Sequence, residues 1–315
     1  MKVLITGVAG FIGSHVAARF LTEGYNVIGV DDLSTGKIEN VPSGVEFIKS
    51  NLADKASVEK LPSGCSLILH LAGQSSGEIS FDDPILDLQK NTVSTLNLIQ
   101  YGIRNNSTRI VYASSMSVYG EVENKPISEV HHPKPLSCYG VGKLASEGYL
   151  KVFQNQLPFV ALRMFNVYGP GQDLTNFRQG MVSIYLAQAI NSGKIEVKGN
   201  LSRYRDFIFI EDVVETWFRS ATYKSAENQI FNVGTGLKTT IGELLEIICK
   251  SVPGADFFVQ GSTPGDQNGI FADNSKLKNI LGINNFKQLD EGISVFNEWA
   301  NHFLNNYKIN KKLSS

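Results

Sequence analysis

The chain has 315 residues, of which 42% are hydrophobic and 19% charged, and its formal net charge is -1 at pH 7. This length allows a sizeable core in two lobes, and the near-neutral balance gives no electrostatic reason to expect nucleic acid or an anionic membrane as a partner. The three scattered cysteines, Cys65, Cys138 and Cys249, make neither a disulfide framework nor a CxxC zinc motif, so we expect no metal. The N-terminal apolar run is too short for a signal peptide and no stretch approaches a membrane span, which favours the reducing cytoplasm.

The first predicted strand, at 3–5, runs into the glycine motif Gly7-Val8-Ala9-Gly10-Phe11-Ile12-Gly13, which opens a predicted helix. Gly7 permits a tight turn, Gly10 lets the backbone approach a pyrophosphate, and Gly13 lets the helix pack against the strand. The helix start at Phe11 and Ile12 then offers free N–H groups and a partial positive charge to the phosphates. The motif therefore predicts a dinucleotide site, with a glycine-rich turn that binds no ligand as the alternative.

The second predicted strand, at 26–30, ends in Asp31, about twenty residues beyond the glycine motif, where an acid accepts hydrogen bonds from the adenine ribose. A carboxylate at this place repels the 2′-phosphate of NADP, and no arginine follows it immediately, so NAD is the preferred dinucleotide. Asp32 is a second candidate for binding the cofactor, with a turn residue as the alternative.

Strands at 45–49, 67–71, 110–113 and 159–165 and helices at 84–104 and 139–154 continue the alternation, with Ser137 placed to cap the last helix. Strands that alternate with helices predict βαβ units, and right-handed crossovers put helices on both faces of the sheet. The predicted fold class is α/β, a Rossmann-type doubly wound parallel sheet with a smaller C-terminal substrate-binding lobe.

Tyr139 and Lys143 form a Tyr-x-x-x-Lys pair at the start of the predicted helix at 139–154. Positions i and i+4 share one helix face, and a lysine ammonium lowers the pKa of a neighbouring tyrosine, which can then take a proton from a hydroxyl while hydride leaves the same carbon. The strand at 110–113 is followed by Ser114 and Ser115, and strand ends face the cofactor in this fold. We therefore predict that Ser115, Tyr139 and Lys143 are catalytic, with turn chemistry as the alternative for the serines.

After residue 170 the alternation loosens, with strands predicted at 195–198 and 207–210 and helices at 182–191 and 212–222. We predict an NAD-binding domain at 1–170, to which the chain returns at 206–234, and a mostly substrate-binding lobe at 171–308.

Several short segments form a specific pattern when they are taken in order. They are the glycine motif with its strand, Asp31-Asp32-Leu33-Ser34-Thr35-Gly36, His70-Leu71-Ala72-Gly73, Ser114-Ser115-Met116-Ser117-Val118-Tyr119-Gly120, Tyr139-Gly140-Val141-Gly142-Lys143, Leu162-Arg163-Met164-Phe165-Asn166-Val167-Tyr168-Gly169-Pro170-Gly171, Arg205-Asp206-Phe207-Ile208 and Ala272-Asp273. This order resembles the extended short-chain dehydrogenase/reductase family in its nucleotide-sugar epimerase/dehydratase branch, over nearly the whole chain.

The resemblance implies further binding residues. They are Asn51 and Leu52 at the adenine, Leu71, Ala72 and Gly73 along the NAD groove, Asn91 near the cofactor, Asn166 at a substrate phosphate and Arg205 at the pyrophosphate. The Arg205 guanidinium suits that task because it binds phosphate oxygens in pairs, with an ion pair to Asp206 as the alternative. The resemblance also implies a homodimer built on the helices at 84–104 and 139–154, whose apolar faces are otherwise explained by packing within one chain.

The residues that follow Ser115 bear on the reaction. Branch members that eliminate water carry Thr-Asp-Glu where this chain has Ser115-Met116-Ser117, and neither Met116 nor Ser117 can do the acid and base work of that Asp and Glu. The decarboxylases of the branch keep the Glu, whereas Ser-Met-Ser resembles the 4-epimerases. The predicted function is NAD-dependent 4-epimerisation of a UDP-hexose, or of its N-acetyl form, through a transient 4-keto intermediate.

Two other functions stay open: a reductase or an epimerase acting at another carbon, and an NAD-binding regulator without catalysis. The chain also departs from the family at Thr263-Pro264-Gly265-Asp266, where many members have Arg-x-Gly-Asp. A second phosphate contact is therefore lost or moved, with Arg178 and Arg203 as candidates to replace it.

Overall fold

The computed structural model describes residues 1–261 and 268–313, with side chains up to Leu304, so the prediction made for Thr263-Pro264-Gly265-Asp266 lies outside the described residues. The strands are β1 (Lys2–Thr6), β2 (Asn26–Asp31), β3 (Glu46–Lys49), β4 (Leu67–His70), β5 (Arg109–Ser115), β6 (Phe159–Met164), β7 (Asn166–Tyr168), β8 (Lys194–Val197), β9 (Tyr204–Arg205), β10 (Phe207–Phe209), β11 (Gln229–Val233), β12 (Thr239–Thr240) and β13 (Asp256–Val259). The helices are α1 (Phe11–Thr22), α2 (Lys55–Glu59), α3 (Pro84–Leu88), α4 (Ser94–Arg104), α5 (Cys138–Val152), α6 (Met181–Ser192), α7 (Ile210–Thr222), α8 (Ile241–Ser251), α9 (Ser275–Leu281) and α10 (Leu289–Leu313).

Seven strands form one parallel sheet in the order β11-β6-β5-β4-β1-β2-β3. β1 pairs with β2 on one side and with β4 on the other, so the strand order reverses beside β1. Ligands of doubly wound sheets bind outside the carboxyl ends of the strands at such a reversal. The predicted Rossmann-type α/β sheet is confirmed, and its reversal fixes where the site lies.

Alternate residues of each strand are buried on opposite faces of the sheet. Val3 and Ile5 belong to the cluster that includes Trp217 of α7, whereas Leu4 belongs to the opposite cluster. This alternation follows from the two-residue period of a strand, and burial on both faces is typical of parallel sheets.

A third cluster surrounds Leu186 of α6, Ile195 of β8 and Phe296 of α10, where β8 pairs with β13. β7 and β10 form a separate parallel pair, and β9 pairs antiparallel with β12. No helix in the described part of the chain is both long enough and apolar enough to cross a membrane.

The two long helices predicted in the first half of the chain have different outcomes. Helix α5 is confirmed, and the Ser137 hydroxyl accepts a hydrogen bond from the Gly140 N–H at 3.1 Å, as predicted for its cap. The predicted helix at 84–104 is instead divided into α3 and α4 by a π-helical segment at Gln89–Val93, which the hydrophobic pattern did not indicate.

Candidate active site

The glycine motif connects β1 to α1 by a turn that other residues would not fit. Gly7 has φ +70°, and a Cβ there would lie 2.7 Å from the Ala72 nitrogen. A Cβ at Gly13 would lie 2.0 Å from the Gly7 carbonyl oxygen, so the helix packs directly on the turn. Gly10 precedes α1 without a capping side chain, and the first turn carries no acid. The free N–H groups of this helix start can therefore bind an anion.

The acidic end of β2 lies beside this turn. Asp31 is 8% exposed, and its carboxylate accepts hydrogen bonds from the backbone N–H groups of Ala9 at 3.0 Å and Leu33 at 2.9 Å. Asp32 forms an ion pair with Lys90 of the π-helical segment. Burial opposes ionisation of Asp32, but hydrogen bonds from Lys90 and Ser34 and the Lys90 charge hold the pKa of its carboxyl below the usual value.

The predicted adenine contacts Asn51 and Leu52 follow β3 at the same edge of the sheet. The Asn51 side chain accepts a hydrogen bond from the Ala53 N–H at 3.1 Å, and the Leu52 carbonyl accepts one from Asn97 at 2.9 Å. Their backbone is thus fixed next to the end of β2, since the Ser50 N–H donates to the Asp31 carbonyl at 3.0 Å.

The loop after β4 carries the predicted wall of the NAD groove. The N–H groups of Leu71 and Ala72 donate to the Thr6 hydroxyl at 3.2 and 3.1 Å. A Cβ at Gly73 would lie 2.5 Å from Asn91 Oδ1 and 3.5 Å from Lys143 Nζ. Gly73 therefore lies where the cofactor groove meets the catalytic helix α5.

Asn91 is fully buried in the π-helical segment, and within the described residues its Oδ1 has no hydrogen-bond partner. Leaving a buried acceptor unpaired costs about 1–3 kcal/mol. An unpaired acceptor beside Gly73, an uncapped helix start and the tight turn at Gly7 together fit a bound dinucleotide.

The predicted catalytic residues come together where β5 ends beside α5. Ser115, Tyr139 and Lys143 are 9%, 8% and 3% exposed, and Lys143 Nζ lies 5.5 Å from the centre of the Tyr139 ring. Burial lowers the pKa of Lys143 to about 8, against the charge of Asp87, which raises it.

The prediction that the pKa of Tyr139 is lowered towards neutrality does not hold for the protein without its cofactor. Burial raises the pKa of Tyr139 to about 12, hydrogen bonding to Ser115 lowers it, and the charge of Asp87 raises it. Burial outweighs the hydrogen bond because an ionised phenol is poorly solvated in this setting. Without a further positive charge nearby, Tyr139 is therefore a protonated phenol at neutral pH.

The two serines after β5 differ in their contacts. The Ser115 hydroxyl accepts from the Ser117 N–H and donates to the Ser117 hydroxyl, both at 3.2 Å, and so caps the 3₁₀ turn Met116–Val118. The Ser114 hydroxyl donates to Glu147 Oε1 at 2.5 Å, inside the protein. Of the two serines, Ser115 is the one that lowers the pKa of Tyr139.

Two buried polar residues of the site were missed by sequence reasoning. Asp87 is 1% exposed and accepts hydrogen bonds from Gln74 and Asn91. His70 bonds through its ring nitrogens to the hydroxyls of Thr6 and Thr95, and burial, with the charge of Lys143, lowers its pKa to about 3. A neutral His70 thus ties β4 to its neighbours, whereas Asp87 brings a negative charge to the site.

The predicted phosphate contacts lie outside the seven-stranded sheet, on β7 and β9. The Asn166 amide donates to the Asp206 carbonyl at 3.1 Å. Arg205 is 8% exposed, and burial and then the charge of Arg203 lower its pKa to about 10. Two neighbouring guanidinium groups favour an anion at this place.

The Asp206 carboxylate holds several backbone segments together. It accepts hydrogen bonds from the N–H groups of Thr235 at 2.8 Å, Gly236 at 2.9 Å and Ala272 at 3.1 Å, and from the Thr235 hydroxyl at 2.7 Å. Burial raises the pKa of Asp206 despite these bonds. In the Arg205-Asp206 pair of the sequence, Asp206 is therefore the residue that binds backbone N–H groups.

Known proteins are similar to this chain in both sequence and fold. Residues 3–234 match the NAD dependent epimerase/dehydratase family. The UDP-glucose 4-epimerase of Mycolicibacterium smegmatis is 35% identical over 93% of this chain and 96% of its own. The crystal structure of the Thermotoga maritima UDP-glucose 4-epimerase with UDP-glucose has a TM-score of 0.93 at 31% identity, covering 96% of this chain and 100% of that one. The Thermus thermophilus UDP-glucose 4-epimerase in complex with NAD has a TM-score of 0.87 at 33% identity, covering 95% and 98%.

These similarities extend over nearly the whole chain and include a solved complex with NAD. They confirm the Rossmann-type fold and NAD as the cofactor, both predicted from the glycine motif and Asp31. The chain belongs to the NAD dependent epimerase/dehydratase family.

Proposed function

We propose that this protein inverts C4 of a UDP-hexose, with Tyr139 as the base, Ser115 as its hydrogen-bonding partner at the substrate oxygen and Lys143 as the positive charge beside them. The observation that carries these roles is the burial of all three side chains together beside Gly73 and the glycine motif. The activity class, NAD-dependent 4-epimerisation of a nucleotide sugar, was predicted from the sequence and is confirmed by the related UDP-glucose 4-epimerases.

The residues that would hold NAD lie along the carboxyl edge of the sheet. They are Gly7, Gly10, Phe11, Ile12 and Gly13 at the pyrophosphate, Asp31, Asp32, Asn51 and Leu52 at the adenosine, and Leu71, Ala72, Gly73, Asn91, Tyr139 and Lys143 towards the nicotinamide. Bound NAD would supply the hydride acceptor for oxidation at C4 and, in its reduced form, the hydride donor, so it would be unchanged over a full cycle.

The proton follows a path through Tyr139. The ionised Tyr139 takes the C4 hydroxyl proton as the hydride leaves, and Ser115 hydrogen bonds to the same sugar oxygen. After the 4-keto sugar turns over in the pocket, Tyr139 returns that proton to the C4 oxygen, and the alcohol of opposite configuration leaves. Lys143, with a pKa of about 8, is mostly an ammonium ion at neutral pH and favours the ionised tyrosine.

The diphosphate of the substrate is assigned to Asn166 and Arg205. The partly exposed Asn166 amide and the buried guanidinium of Arg205 offer donors to phosphate oxygens. The related Thermotoga maritima enzyme was solved with UDP-glucose, which supports a uridine diphosphate. We propose the glucose/galactose pair or the corresponding N-acetyl pair as the sugar.

The test is incubation of the purified protein with UDP-glucose, UDP-galactose and both N-acetyl forms, with NAD supplied. We expect one pair to interconvert with no net change in reduced nicotinamide absorbance. Recovery of all four sugars unchanged would refute the UDP-hexose assignment, and net formation of reduced nicotinamide would favour a dehydrogenase.

The role of Tyr139 is tested separately with Tyr139→Phe, which should abolish turnover while NAD stays bound. Tyr112→Phe is the matched control, because Tyr112 is a fully buried tyrosine whose ring centre lies 5.0 Å from Lys143 Nζ. Turnover that survives in Tyr139→Phe would exclude this residue as the base.

We also propose that the protein is a homodimer joined through α3 and α5. Large apolar side chains are exposed on both helices: Ile85 at 64%, Leu86 at 44% and Leu88 at 46% on α3, and Val141 at 53%, Tyr149 at 41% and Val152 at 73% on α5. An apolar patch of this kind on two packed helices is typical of an interaction surface. Sedimentation should show a dimer that Val152→Asp dissociates, whereas Val130→Asp, at a position 94% exposed in a loop, should leave it intact.

The compartment and the fate of the product are further proposals. The free Cys65, Cys138 and Cys249 fit the reducing cytoplasm. There, an epimerised UDP-hexose is a donor for the glycosyl transfer reactions of polysaccharide biosynthesis.

A further inference from the structure

Helix α3 buries its acid and exposes its apolar side chains, which is the reverse of an ordinary surface helix. Asp87 is 1% exposed, whereas Ile85, Leu86 and Leu88 are 44% exposed or more. A buried carboxylate is costly unless it meets donors or a positive charge. The burial of the Asp87 carboxylate on the inward-facing side of α3 is therefore not explained by core packing.

The carboxylate of Asp87 is held in one orientation. Its Oδ1 accepts hydrogen bonds from Gln74 Nε2 at 3.0 Å and from Asn91 Nδ2 at 3.1 Å. Its Oδ2 lies 3.5 Å from the place that a Gly142 Cβ would occupy, so it contacts α5 one residue before Lys143. α5 is fixed against the same segment, because the Thr92 hydroxyl donates to the Gly142 carbonyl at 3.2 Å.

We infer that Asp87 is a positioning residue that keeps Lys143 as an ammonium ion and restrains ionisation of Tyr139, and thereby sets the pH range in which the pair works. This inference rests on the proposed roles of Tyr139 and Lys143. Asp87 itself does not have to touch substrate or cofactor.

The other groups that face Lys143 do not supply this charge. Tyr112 of β5 is a buried phenol whose pKa burial raises, and His70 of β4 is neutral at physiological pH. Glu147, one turn further along α5, is paired with Arg163 at 2.7 Å. Among the described residues packed around Lys143, Asp87 is thus the carboxylate whose charge acts on the ammonium.

Removing the charge of Asp87 moves both catalytic pKa values in the same direction. Burial lowers the pKa of Lys143 to about 8 while Asp87 raises it, so loss of Asp87 lowers that pKa further. The charge of Asp87 also raises the pKa of Tyr139, so its loss lowers that pKa too. A charge within about 4–6 Å shifts a neighbouring pKa by about one unit or more. Both limbs of the pH profile therefore shift to lower pH.

The test compares Asp87→Asn with Asp83→Asn in the full chain with NAD. The asparagine side chain of the first variant has nearly the shape of the aspartate and keeps an oxygen for the donors of Gln74 and Asn91. Asp83→Asn removes the same charge from the exposed N-terminal cap of the same helix, where asparagine also caps well. We expect both limbs of the kcat profile of Asp87→Asn to move about one pH unit lower, and those of Asp83→Asn to stay.

A second readout needs no turnover. The side-chain titration of Lys143 is followed by NMR and assigned with Lys143→Met, and that of Tyr139 is followed by tyrosinate absorbance and assigned with Tyr139→Phe. Both midpoints should fall in Asp87→Asn, or in Asp87→Ser if the asparagine variant does not fold. Unmoved midpoints, or an activity loss equal at every pH, would overturn the inference. Absence of epimerisation in the unaltered protein would refute the proposed function. The titrations would then still test whether Asp87 shifts the pKa values of Lys143 and Tyr139.

Discussion

Glu147 and Arg163 form a buried ion pair that fastens α5 to β6, and we expect its disruption to destabilise the protein strongly. Both side chains are 4% exposed. Arg163 donates from Nε to Oε1 at 2.9 Å and from Nη2 to Oε2 at 2.7 Å, and the Ser114 hydroxyl donates to Oε1 at 2.5 Å. Glu147→Ala removes the acceptor of all three bonds.

The magnitude follows from what the variant leaves behind. Removing one partner of a buried pair costs about 3–5 kcal/mol, because the other charge stays buried without compensation. The Ser114 hydroxyl loses its acceptor too, whereas Arg163 keeps its bond to the Tyr119 hydroxyl at 2.9 Å. We therefore expect a loss of about 4 kcal/mol in the free energy of unfolding.

Urea unfolding of the NAD-free protein measures this loss. With a slope of about 3 kcal/mol per molar or more for a chain of this size, the midpoint should fall by about 1 M. Glu59→Ala is the matched control, since Glu59 is 47% exposed in its surface ion pair with Arg104 and should cost less than about 1 kcal/mol. Replacing Glu147 and Arg163 together by methionine should cost less than Glu147→Ala alone. A Glu147→Ala midpoint shift as small as that of Glu59→Ala would refute the reasoning.

Two other predictions concern the cofactor groove. Gly13→Ala should destabilise the protein by about 3 kcal/mol or more and abolish NAD retention, because its Cβ would lie 2.0 Å from the Gly7 carbonyl oxygen, whereas Gly242→Ala, with nothing nearer than 3.8 Å, should be tolerated in thermal unfolding and NAD gel filtration. Lys90→Met breaks the ion pair with Asp32 that joins the π-helical segment to the end of β2, and should speed NAD dissociation several-fold in stopped-flow measurements. Its unfolding free energy should change by less than about 1 kcal/mol, because the paired side chains are 22% and 25% exposed; an unchanged dissociation rate would contradict the prediction.

Features that depend on local chemistry were predictable from the sequence. The turn at Gly7 requires a left-handed backbone, and the cap at Ser137 requires a short hydroxyl before an apolar run, so each has a signal within a few residues. The spacing of Tyr139 and Lys143 likewise fixes one helix face. These signals sufficed to predict the cofactor and to place Tyr139 and Lys143 on one helix, whereas the catalytic roles of these two residues stay a prediction.

Features that depend on which elements meet were not predictable. Asp87 would be assigned to solvent by its charge, and only the packing of α3 on α5 shows that it is buried. In the π-helical segment the Asn91 carbonyl accepts hydrogen bonds from the hydroxyls of Thr95 at 2.6 Å and of Ser146, on α5, at 3.3 Å, and the second of these contacts exists only because the two elements pack together. β13 was missed because its four residues carry exposed and half-buried side chains and become a strand only beside β8.

The raised pKa of Tyr139 has a consequence for how the site is switched on. A phenol with a pKa of about 12 cannot act as a base at neutral pH, and burial is the largest cause of this raised value. A second positive charge in the pocket is needed, and the oxidised nicotinamide ring of the family's cofactor carries one.

Binding of NAD should therefore lower the Tyr139 titration midpoint by about one to three units, read as the tyrosinate absorbance lost in Tyr139→Phe. Reduced NAD, which lacks the ring charge, is the control and should lower it less. Equal midpoints with both forms would mean that the protein alone ionises its base, in which case Ser115 and Lys143 would have to account for the whole shift.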